Sequence, residues 1–187
     1  MILSKGIPYD GPSFNRRNRL ARLIWQLVWL LLFRPTPPPA HVWRCWLLRR
    51  FGAKIHPSCH VYSSAKIWAP WNLVMAENSC LGPDVNCYSM ALIQLGKRAI
   101  ISQGVYLCSG SHDYTQESFQ LFAEPILIDS DVWICAQSFV APGVRIGEGA
   151  VIGARSVVTR SQPPWFVCAG NPAKCLKPRD HPRSKSC

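Results

Sequence analysis

Acidic residues are scarce in this 187-residue sequence, which has 10 Asp and Glu against 21 Lys and Arg and a formal net charge of +11 at pH 7. Residues 1–54 hold ten basic residues and one acid, and residues 161–187 hold five against one, whereas residues 55–160 hold six against eight. The hydrophobic content of 48% excludes a disordered polar chain. The distribution predicts a nearly neutral core whose basic ends meet an anionic partner, such as a membrane surface or a phosphorylated ligand. For the C-terminal run, a solvated tail is the alternative.

The nine cysteines lack the spacing of a metal site or a disulfide framework. They form an odd number, no two occur as C-x-x-C, and no histidine stands beside them at zinc-ligand spacing. His56 and His60 are four residues apart, but the helix that would align them is not expected there. We predict no metal site and a cytoplasmic protein whose reduced thiols mostly fill the core, although a catalytic cysteine stays open.

The sequence also lacks a cleavable secretory signal and a long apolar run. Its most apolar segment, Leu20–Phe33, has four arginines before or within its first turn and is shorter than the roughly 20 residues that span a bilayer. Two interpretations stay open for it. One is a helix lying in a membrane interface, with Trp25 and Trp29 inward and the arginines toward lipid phosphates. The other is a helix packed on the rest of the fold or on a partner subunit.

A second helix is predicted at residues 41–51, with Trp43, Trp46 and Leu47 on one side. The prolines between residues 35 and 39 end the first helix, because proline breaks a helix interior. The two helices are expected to form a hairpin, so that residues 1–54 make a basic, Trp-rich helical segment before the main domain.

A strict six-residue period dominates the second half of the chain. Aliphatic residues recur at every sixth position of the series Ile128, Ile134, Val140, Ile146, Ile152 and Val158. The position four residues after each step is small or β-branched, as in Val132, Ser138, Val144, Ala150 and Ser156. A helix would give a period of 3.6 and a plain strand a period of two, so neither fits. The pattern predicts triangular coils of three flat strands, with the inward aliphatics of successive coils stacked on one another.

The same period runs through residues 55–107, with two-residue slips that we interpret as corner bulges. It is interrupted once, between Leu107 and Ile126, by CSGSHDYTQESFQLFAEP. We expect residues 108–126 to project as a loop from a corner of the coil, and such loops often carry function. His112 stands near the start of this insertion, whereas the other four histidines are expected to be structural or exposed.

These features resemble the hexapeptide-repeat acyltransferases of the maltose and galactoside O-acetyltransferase group, and especially those of colanic acid and exopolysaccharide biosynthesis. The matching stretches are GAKIHPS at 52–58, LCSGSHDY at 107–114, DVWICAQSFVAPGVRIGEGAVIGARSVVT at 131–159 and PPWFVCAGNPAK at 163–174. The resemblance implies an all-β core, a left-handed parallel β-helix over 55–177, with N-terminal α-helical segments. A basic tail would follow at 178–187. The resemblance also implies transfer of an acetyl group from acetyl-CoA to a sugar hydroxyl in exopolysaccharide or surface glycan biosynthesis.

In that family a histidine before the projecting loop is the general base, and His112 stands at this point. An imidazole ordinarily has a pKa near neutral pH, which suits it to take a proton from a hydroxyl group. Tyr88 and Ser89, one coil earlier, are candidates to border the acceptor. Asp113 is a further acceptor-site candidate and could also orient His112.

For the acyl donor, the resemblance implies that acetyl-CoA lies along a coil edge past Ala136 and Ala154, where small side chains allow close approach. Thr159, Arg160 and Lys177 match further donor-binding positions of the family. Related enzymes have a serine where this chain has Ala136. Only a backbone amide could therefore stabilise the reaction oxyanion at this position.

The resemblance further implies a homotrimer with active sites between subunits, a carbohydrate acceptor and, on the membrane interpretation, peripheral contact with the inner face of the cytoplasmic membrane. Two alternatives stay open. One is a non-catalytic membrane-associated scaffold protein. The other is a γ-class carbonic anhydrase, which needs three histidines at suitable coils, and only His112 lies near the middle of the domain. Nucleic-acid binding is disfavoured, because the basic residues are interleaved with a run rich in Trp and Leu.

Overall fold

The computed structural model describes residues 14–180, as two helical segments followed by a stack of short strands. Helix α1 spans Arg16–Val28 and continues as a π-helical turn over Trp29–Phe33, and helix α2 spans His41–Arg50. The N-terminal helices predicted from the sequence are confirmed. Most of the basic tail predicted at 178–187 lies outside the described residues.

The strands, numbered along the chain, form three sheets and a separate hairpin. Sheet A contains β1 (Lys54–Ile55), β4 (Leu73–Met75), β7 (Ile93–Leu95), β12 (Ile126–Ile128) and β15 (Arg145–Ile146). Sheet B contains β2 (His60–Val61), β5 (Cys80–Leu81), β8 (Ile100–Ile101), β13 (Trp133–Ile134), β16 (Val151–Ile152), β18 (Phe166–Gly170) and β19 (Ala173–Pro178). Sheet C contains β3 (Lys66–Ile67), β6 (Asn86–Tyr88), β9 (Tyr106–Cys108), β14 (Phe139–Val140) and β17 (Val157–Val158). The hairpin consists of β10 (Gly110–His112) and β11 (Leu121–Ala123), and a 3₁₀ turn spans Pro70–Asn72.

The chain visits sheets A, B and C in turn and then begins the next coil. Each strand pairs in parallel with the strand one coil later, as where Trp133 lies beside Val151 and Ile134 beside Ile152. This offset of 18 residues, from 133 to 151, equals three six-residue units. The predicted left-handed parallel β-helix is confirmed.

The aliphatic columns predicted from the six-residue period form the core. The six residues of the series that begins at Ile128 are at most 1% exposed, and the five of the series that begins at Val132 are at most 2% exposed. Full burial of one such side chain contributes roughly 1.5–3 kcal/mol. Because a coil buries this face only against its neighbours, the stacked columns hold the coils together.

The two-residue slips in the period are not corner bulges, so that prediction is wrong. They lie within β4 and β7, three-residue strands whose first and third residues are both buried. Side chains of a strand alternate between its two faces. Two extra residues therefore bring the chain back to the inward phase, and the coil grows from 18 to 20 residues, as between Lys54 and Val74.

The corners require residues with a left-handed backbone. Gln137 and Arg155 occupy this conformation, with φ of +60° and +56°, at successive corners between sheets B and C. The conformation costs a non-glycine residue roughly 1–2 kcal/mol. Arg155 Nε donates to Gln137 Oε1 at 2.7 Å. This contact between coils offsets part of that cost and holds the two corners in line.

Helices α1 and α2 cover the edge of the first coil. No coil precedes it, so its outward carbonyls lack the backbone donors that later coils receive. The Trp25 indole N–H donates to the Ile67 carbonyl at 2.7 Å, and the Trp29 indole N–H donates to the Ala65 carbonyl at 2.8 Å. The tryptophan face of α1 therefore packs on the β-helix, in agreement with the second interpretation of this segment, and its leucines face outward.

Arg44 of α2 is fully buried and has no carboxylate partner among the described residues. Its guanidinium donates to the carbonyls of Val61 at 2.6 Å, Pro37 at 2.9 Å and Pro38 at 2.6 Å, and to Thr36 Oγ1 at 2.8 Å. Burial lowers the pKa of Arg44. The residue ties the proline-rich turn between the helices to the first strand of sheet B.

Replacement of Arg44 by methionine should lower the free energy of unfolding by about 3 kcal/mol or more. The Val61 carbonyl loses a buried bond, and the Pro37 and Pro38 carbonyls lose partly buried ones. An unsatisfied buried group costs roughly 1–3 kcal/mol. Urea unfolding at equal chain concentration measures the loss. Arg17→Met, at an exposed position of α1, is the control and should stay within about 0.5 kcal/mol of the unchanged protein. Equal losses in the two variants would contradict the role given to Arg44.

Candidate functional site

The insertion in the six-residue period forms an antiparallel hairpin of β10 and β11, in which His112 lies beside Leu121. It leaves the β-helix at the corner between sheets C and A, where the sequence predicted a projecting loop. A Cβ atom at Gly110 would overlap the Met90 sulfur, so glycine lets the base of the hairpin approach the preceding coil. A cleft of about 570 Å³ lies along the hairpin and is lined by both of its strands.

The imidazole of His112 is exposed in this cleft, and its Nδ1 lies 2.6 Å from the carbonyl oxygen of Phe119. Because a carbonyl oxygen can only accept, Nδ1 must carry a proton. In the neutral ring, Nε2 is then an unprotonated acceptor. Phe119 has a left-handed backbone with φ +44°, which is uncommon for a bulky residue. The hairpin therefore determines which nitrogen of His112 is available to take a proton.

Asp113 does not orient His112, so this prediction is wrong. Its Oδ1 accepts hydrogen bonds from Thr115 Oγ1 at 2.6 Å and from the Thr115 amide at 3.0 Å, and its Oδ2 accepts one from Gln116 Nε2 at 2.8 Å. The bonds from Thr115 are the main reason why the pKa of Asp113 lies below its usual value. The carboxylate closes the tip of the hairpin. It also lines the cleft, and its contact with an acceptor stays a prediction.

At neutral pH, His112 should be found as the tautomer protonated at Nδ1. Two-bond ¹H–¹⁵N correlation spectra of the imidazole distinguish the two tautomers. Asp113→Ala should leave the tautomer of His112 unchanged, because Nδ1 donates to the backbone carbonyl of Phe119 and not to Asp113. A ring protonated at Nε2, or a tautomer that changes in Asp113→Ala, would show that the Phe119 carbonyl is not its partner.

Ala136 and Ala154 occupy equivalent corners of successive coils, between sheets B and C. The Arg155 amide donates to the Ala136 carbonyl at 2.9 Å, which stacks one corner on the other. Ala136 is half-buried and Ala154 is exposed. Among the residues that the structure describes, neither alanine amide has a hydrogen-bond acceptor. A narrow ligand lying along this edge would meet small side chains and two outward N–H donors.

Thr159, Arg160 and Lys177 lie away from this edge. Thr159 and Arg160 follow β17 and stand at the corner between sheets C and A, the corner that carries the hairpin two coils earlier. Lys177 lies on β19, beside Val167 of β18. All three side chains are exposed. Because they are spread over different edges of the chain, their contact with one shared ligand stays a prediction.

Ser89 does not border a ligand site, so this prediction is wrong. The residue is fully buried, and its hydroxyl bonds to the backbone of Ala69, accepting from the amide at 3.0 Å and donating to the carbonyl at 2.9 Å. The hydroxyl thus supports the backbone of the preceding coil.

Tyr88 lies on the outer face of sheet C, in an aromatic groove between the sheet and α1. The groove encloses about 380 Å³, and its aromatic walls include Trp29, Trp68 and Tyr106. The Tyr88 ring lies 5.5 Å from the Trp68 ring between centroids. Burial raises the pKa of Tyr88, and burial together with a hydrogen bond between the Tyr106 phenol and Cys108 raises the pKa of Tyr106 to about 12. Both phenols are therefore neutral hydrogen-bonding groups near pH 7, and the contact of Tyr88 with an acceptor stays a prediction.

The cysteines beside these residues are poorly suited to act as nucleophiles. Burial raises the pKa of Cys135, the neighbour of Ala136, and it raises the pKa of Cys87 to about 12. A raised pKa keeps the group as a thiol, whereas the thiolate is the reactive form. Within residues 14–180, no three His, Cys, Asp or Glu side chains are grouped so that they could hold a metal ion.

A single chain carries two separate parts of the predicted site. The hairpin with His112 follows the C-terminal end of a sheet C strand, at the corner with sheet A. Ala136 and Ala154 precede the N-terminal ends of sheet C strands, at the corner with sheet B, so the length of a strand separates the two parts.

Two contacts were missed by the sequence analysis. The Phe119 carbonyl is a backbone group without a side-chain signal. The Gln137–Arg155 contact could have been found from its spacing of 18 residues, one coil.

The family described as bacterial transferase hexapeptide (six repeats) matches residues 125–160. The chain is also 42% identical to the protein of Escherichia coli K12 assigned as the colanic acid biosynthesis acetyltransferase WcaF, over 89% of this chain and 92% of that protein.

Two solved structures share the fold at low sequence identity. One is the hexapeptide-repeat acetyltransferase VCA0836 of Vibrio cholerae in complex with acetyl-CoA, with a TM-score of 0.80 and 24% identity over 91% of this chain and 93% of that one. The other is a maltose O-acetyltransferase of Clostridium difficile, with a TM-score of 0.79 and 24% identity over 89% and 90% of the two chains.

Proposed function

The chain belongs to the hexapeptide-repeat acetyltransferases, which use acetyl-CoA, and from that premise we propose that it acetylates a sugar hydroxyl in the synthesis of an exopolysaccharide or surface glycan. The main observation in support of this proposal is which ring nitrogen of His112 carries the proton. Its Nδ1 donates to the Phe119 carbonyl, so Nε2 is an exposed acceptor in the hairpin cleft. That is the arrangement a general base for a hydroxyl group needs.

His112 would act first as a base and then as an acid. Nε2 takes the proton of the sugar hydroxyl while its oxygen attacks the thioester carbonyl carbon, and the carbonyl π electrons move to oxygen. Collapse of this tetrahedral intermediate breaks the carbon–sulfur bond, and the imidazolium returns its proton to the departing CoA thiolate. The Phe119 carbonyl favours the imidazolium that forms in between, because it accepts from Nδ1. No covalent enzyme intermediate is required, in agreement with the raised pKa of Cys135.

The oxyanion of the intermediate would be stabilised by backbone N–H groups. The amides of Ala136 and Ala154 have no acceptor among the described residues. One oxyanion donor is worth a factor of roughly 10²–10³ in rate. We assign the Ala136 amide to this role and the edge past Ala154 to the pantetheine arm of acetyl-CoA. Arg160 and Lys177 would then meet its phosphate groups.

A carbohydrate acceptor fits the surroundings of Tyr88. The groove on sheet C combines the aromatic faces of Trp68 and Tyr106 with polar groups from Lys66 and Asn86. Such a mixture of apolar walls and a few polar groups is usual for small-molecule sites. The C. difficile structure is that of a maltose O-acetyltransferase, and the E. coli relative is assigned to colanic acid biosynthesis, so both names point to sugars.

The separation of His112 from Ala136 supports a site built by two chains of a homotrimer. The corner that carries Ala136 is flanked by apolar side chains on both sheets. On sheet B, Ile100 is 48% exposed and Trp133 is 47% exposed, and on sheet C Phe139 is half-buried. Contact of this corner with the hairpin of a neighbouring subunit would cover these side chains and bring Ala136 to His112.

His112→Ala should lower kcat by a factor of about 10²–10⁴, which is the usual contribution of a general base. Thiol release from acetyl-CoA in the presence of nucleotide-linked and lipid-linked sugars measures the rate. Calorimetric titration should show that the variant still binds CoA, because the contacts proposed for CoA are made by Ala136, Ala154, Arg160 and Lys177 and not by the His112 side chain. Unchanged turnover would instead support the alternative of a non-catalytic scaffold protein.

Mixing two inactive variants should restore activity if each site uses two chains. His112→Ala removes the base, and Ala136→Trp blocks the opposite edge. Trimers reassembled from equal amounts should regain about a quarter of the normal sites, since random assembly pairs an intact hairpin with an intact edge at that frequency. The same mixture without reassembly is the control. Absence of recovery in confirmed mixed trimers would place the site within one chain.

A further inference from the structure

Helix α1 has a second apolar face, opposite to the tryptophans that pack on the β-helix. Leu20, Leu23, Leu27 and Leu31 are 58%, 54%, 52% and 65% exposed. Their spacing of three and four residues places them on one side of the helix. Trp25, which is 1% exposed, lies on the other side. The helix is therefore apolar on two faces, and the β-helix covers one of them.

Two tryptophans of α2 continue this exposed row. Trp43 and Trp46 are each 42% exposed, and their rings stack with centroids 5.0 Å apart. The Trp43 indole N–H donates to the Leu32 carbonyl at 2.9 Å, which joins α2 to the end of the leucine row. We call this surface the apolar patch, and it consists of Leu20, Leu23, Leu27, Leu31, Trp43 and Trp46.

The charges around the apolar patch have one sign. Residues 14–53 contain eight arginines and no Asp or Glu. Beside the first turns of α1, Arg16, Arg19 and Arg22 line a shallow groove together with Leu20 and Leu23. Cationic groups therefore stand directly next to exposed leucines, as expected at the boundary between lipid headgroups and acyl chains. Tryptophan is also enriched at that boundary.

We propose that the apolar patch docks on the surface of an anionic phospholipid bilayer, with α1 lying in the interface. In the described part of the chain, no helix is both long and apolar enough to cross a membrane. A second copy of the chain is a poorer occupant, because residues 14–53 of that copy would bring the same seven arginines besides the buried Arg44 and no carboxylate. Lipid phosphates instead complement the arginines, and the attraction is worth roughly one kcal/mol per basic residue near an anionic surface. The inference goes beyond the proposed acetyl transfer and does not depend on it.

Co-sedimentation of the full chain with vesicles tests the proposal. The chain should bind vesicles that contain phosphatidylglycerol and should bind phosphatidylcholine vesicles much less. Binding should weaken as the salt concentration rises, since salt screens exposed charges. Equal binding to the two kinds of vesicle, or none to either, would overturn the proposal.

Substitutions separate the contribution of the leucines to vesicle binding from that of the arginines. Leu23→Glu and Leu27→Glu should each lower the vesicle partition coefficient about tenfold or more, because half-exposed leucines lose their burial in lipid. Replacing Arg16, Arg17 and Arg19 by glutamine should lower it about fivefold for each residue on anionic vesicles. The matched control is Leu176→Glu, at a leucine of β19 that is 66% exposed and outside the apolar patch, and it should bind as the unchanged chain does.

Two further measurements show whether a loss of vesicle binding results from altered folding or altered assembly. Circular dichroism should be the same for Leu27→Glu and Leu176→Glu, since both side chains already face outward. Light scattering should show the same oligomeric state. A smaller assembly in Leu27→Glu alone would mean that the apolar patch joins copies of the chain, which contradicts lipid docking. Thiol release with a water-soluble sugar acceptor should be unchanged in Leu27→Glu, so failure of vesicle binding and failure of the proposed reaction can be told apart.

Discussion

The structure depends on one constraint, which is that an apolar side chain, usually an aliphatic one, must point inward on every side of every coil. Stacked columns such as Ile134 over Ile152 supply most of the apolar burial, and no coil can bury its inner face alone. The constraint also determines where function can be placed. Strand residues that face inward are committed to the core, so chemistry is confined to the corners, the outer faces and inserted segments. The hairpin with His112 and the edge with Ala136 are such places.

The fold could be predicted because this constraint imposes a six-residue repeat on the sequence. The buried series from Ile128 to Val158 was identified correctly. Details that break the repeat were harder. A corner bulge and a longer strand can each add two residues to the period, so the sequence pattern alone does not distinguish them. Ser89 was predicted to border the acceptor because it lies one coil before His112, yet its hydroxyl is buried and bonds to the backbone of Ala69. The partner of His112 could not be predicted at all, because it is the backbone carbonyl of Phe119.

In the proposed mechanism, the site of acyl transfer is divided between the two corners of the prism that border sheet C. The proposed base, His112, is held on a hairpin that can vary without disturbing the core, and the amides of Ala136 and Ala154 belong to corners that the core holds in place. Each part is preorganised in its own chain, so assembly need only bring them together. With an alanine at position 136, the proposed oxyanion contact comes from the backbone, which is a group that mutation of a side chain does not remove.

The cover that α1 and α2 form over the first coil limits how chains can join. An uncovered edge of a parallel sheet is a template for further strands, and a solenoid with open ends could grow into a fibre. Here side chains of the two helices occupy the outward carbonyls of that edge, at Ile55, Cys59, Val61, Ala65 and Ile67. At the far end of sheet B, β19 reverses the strand direction. Growth along the axis is thereby disfavoured at the helical end, which leaves the sides of the prism as the surfaces through which copies of the chain can associate.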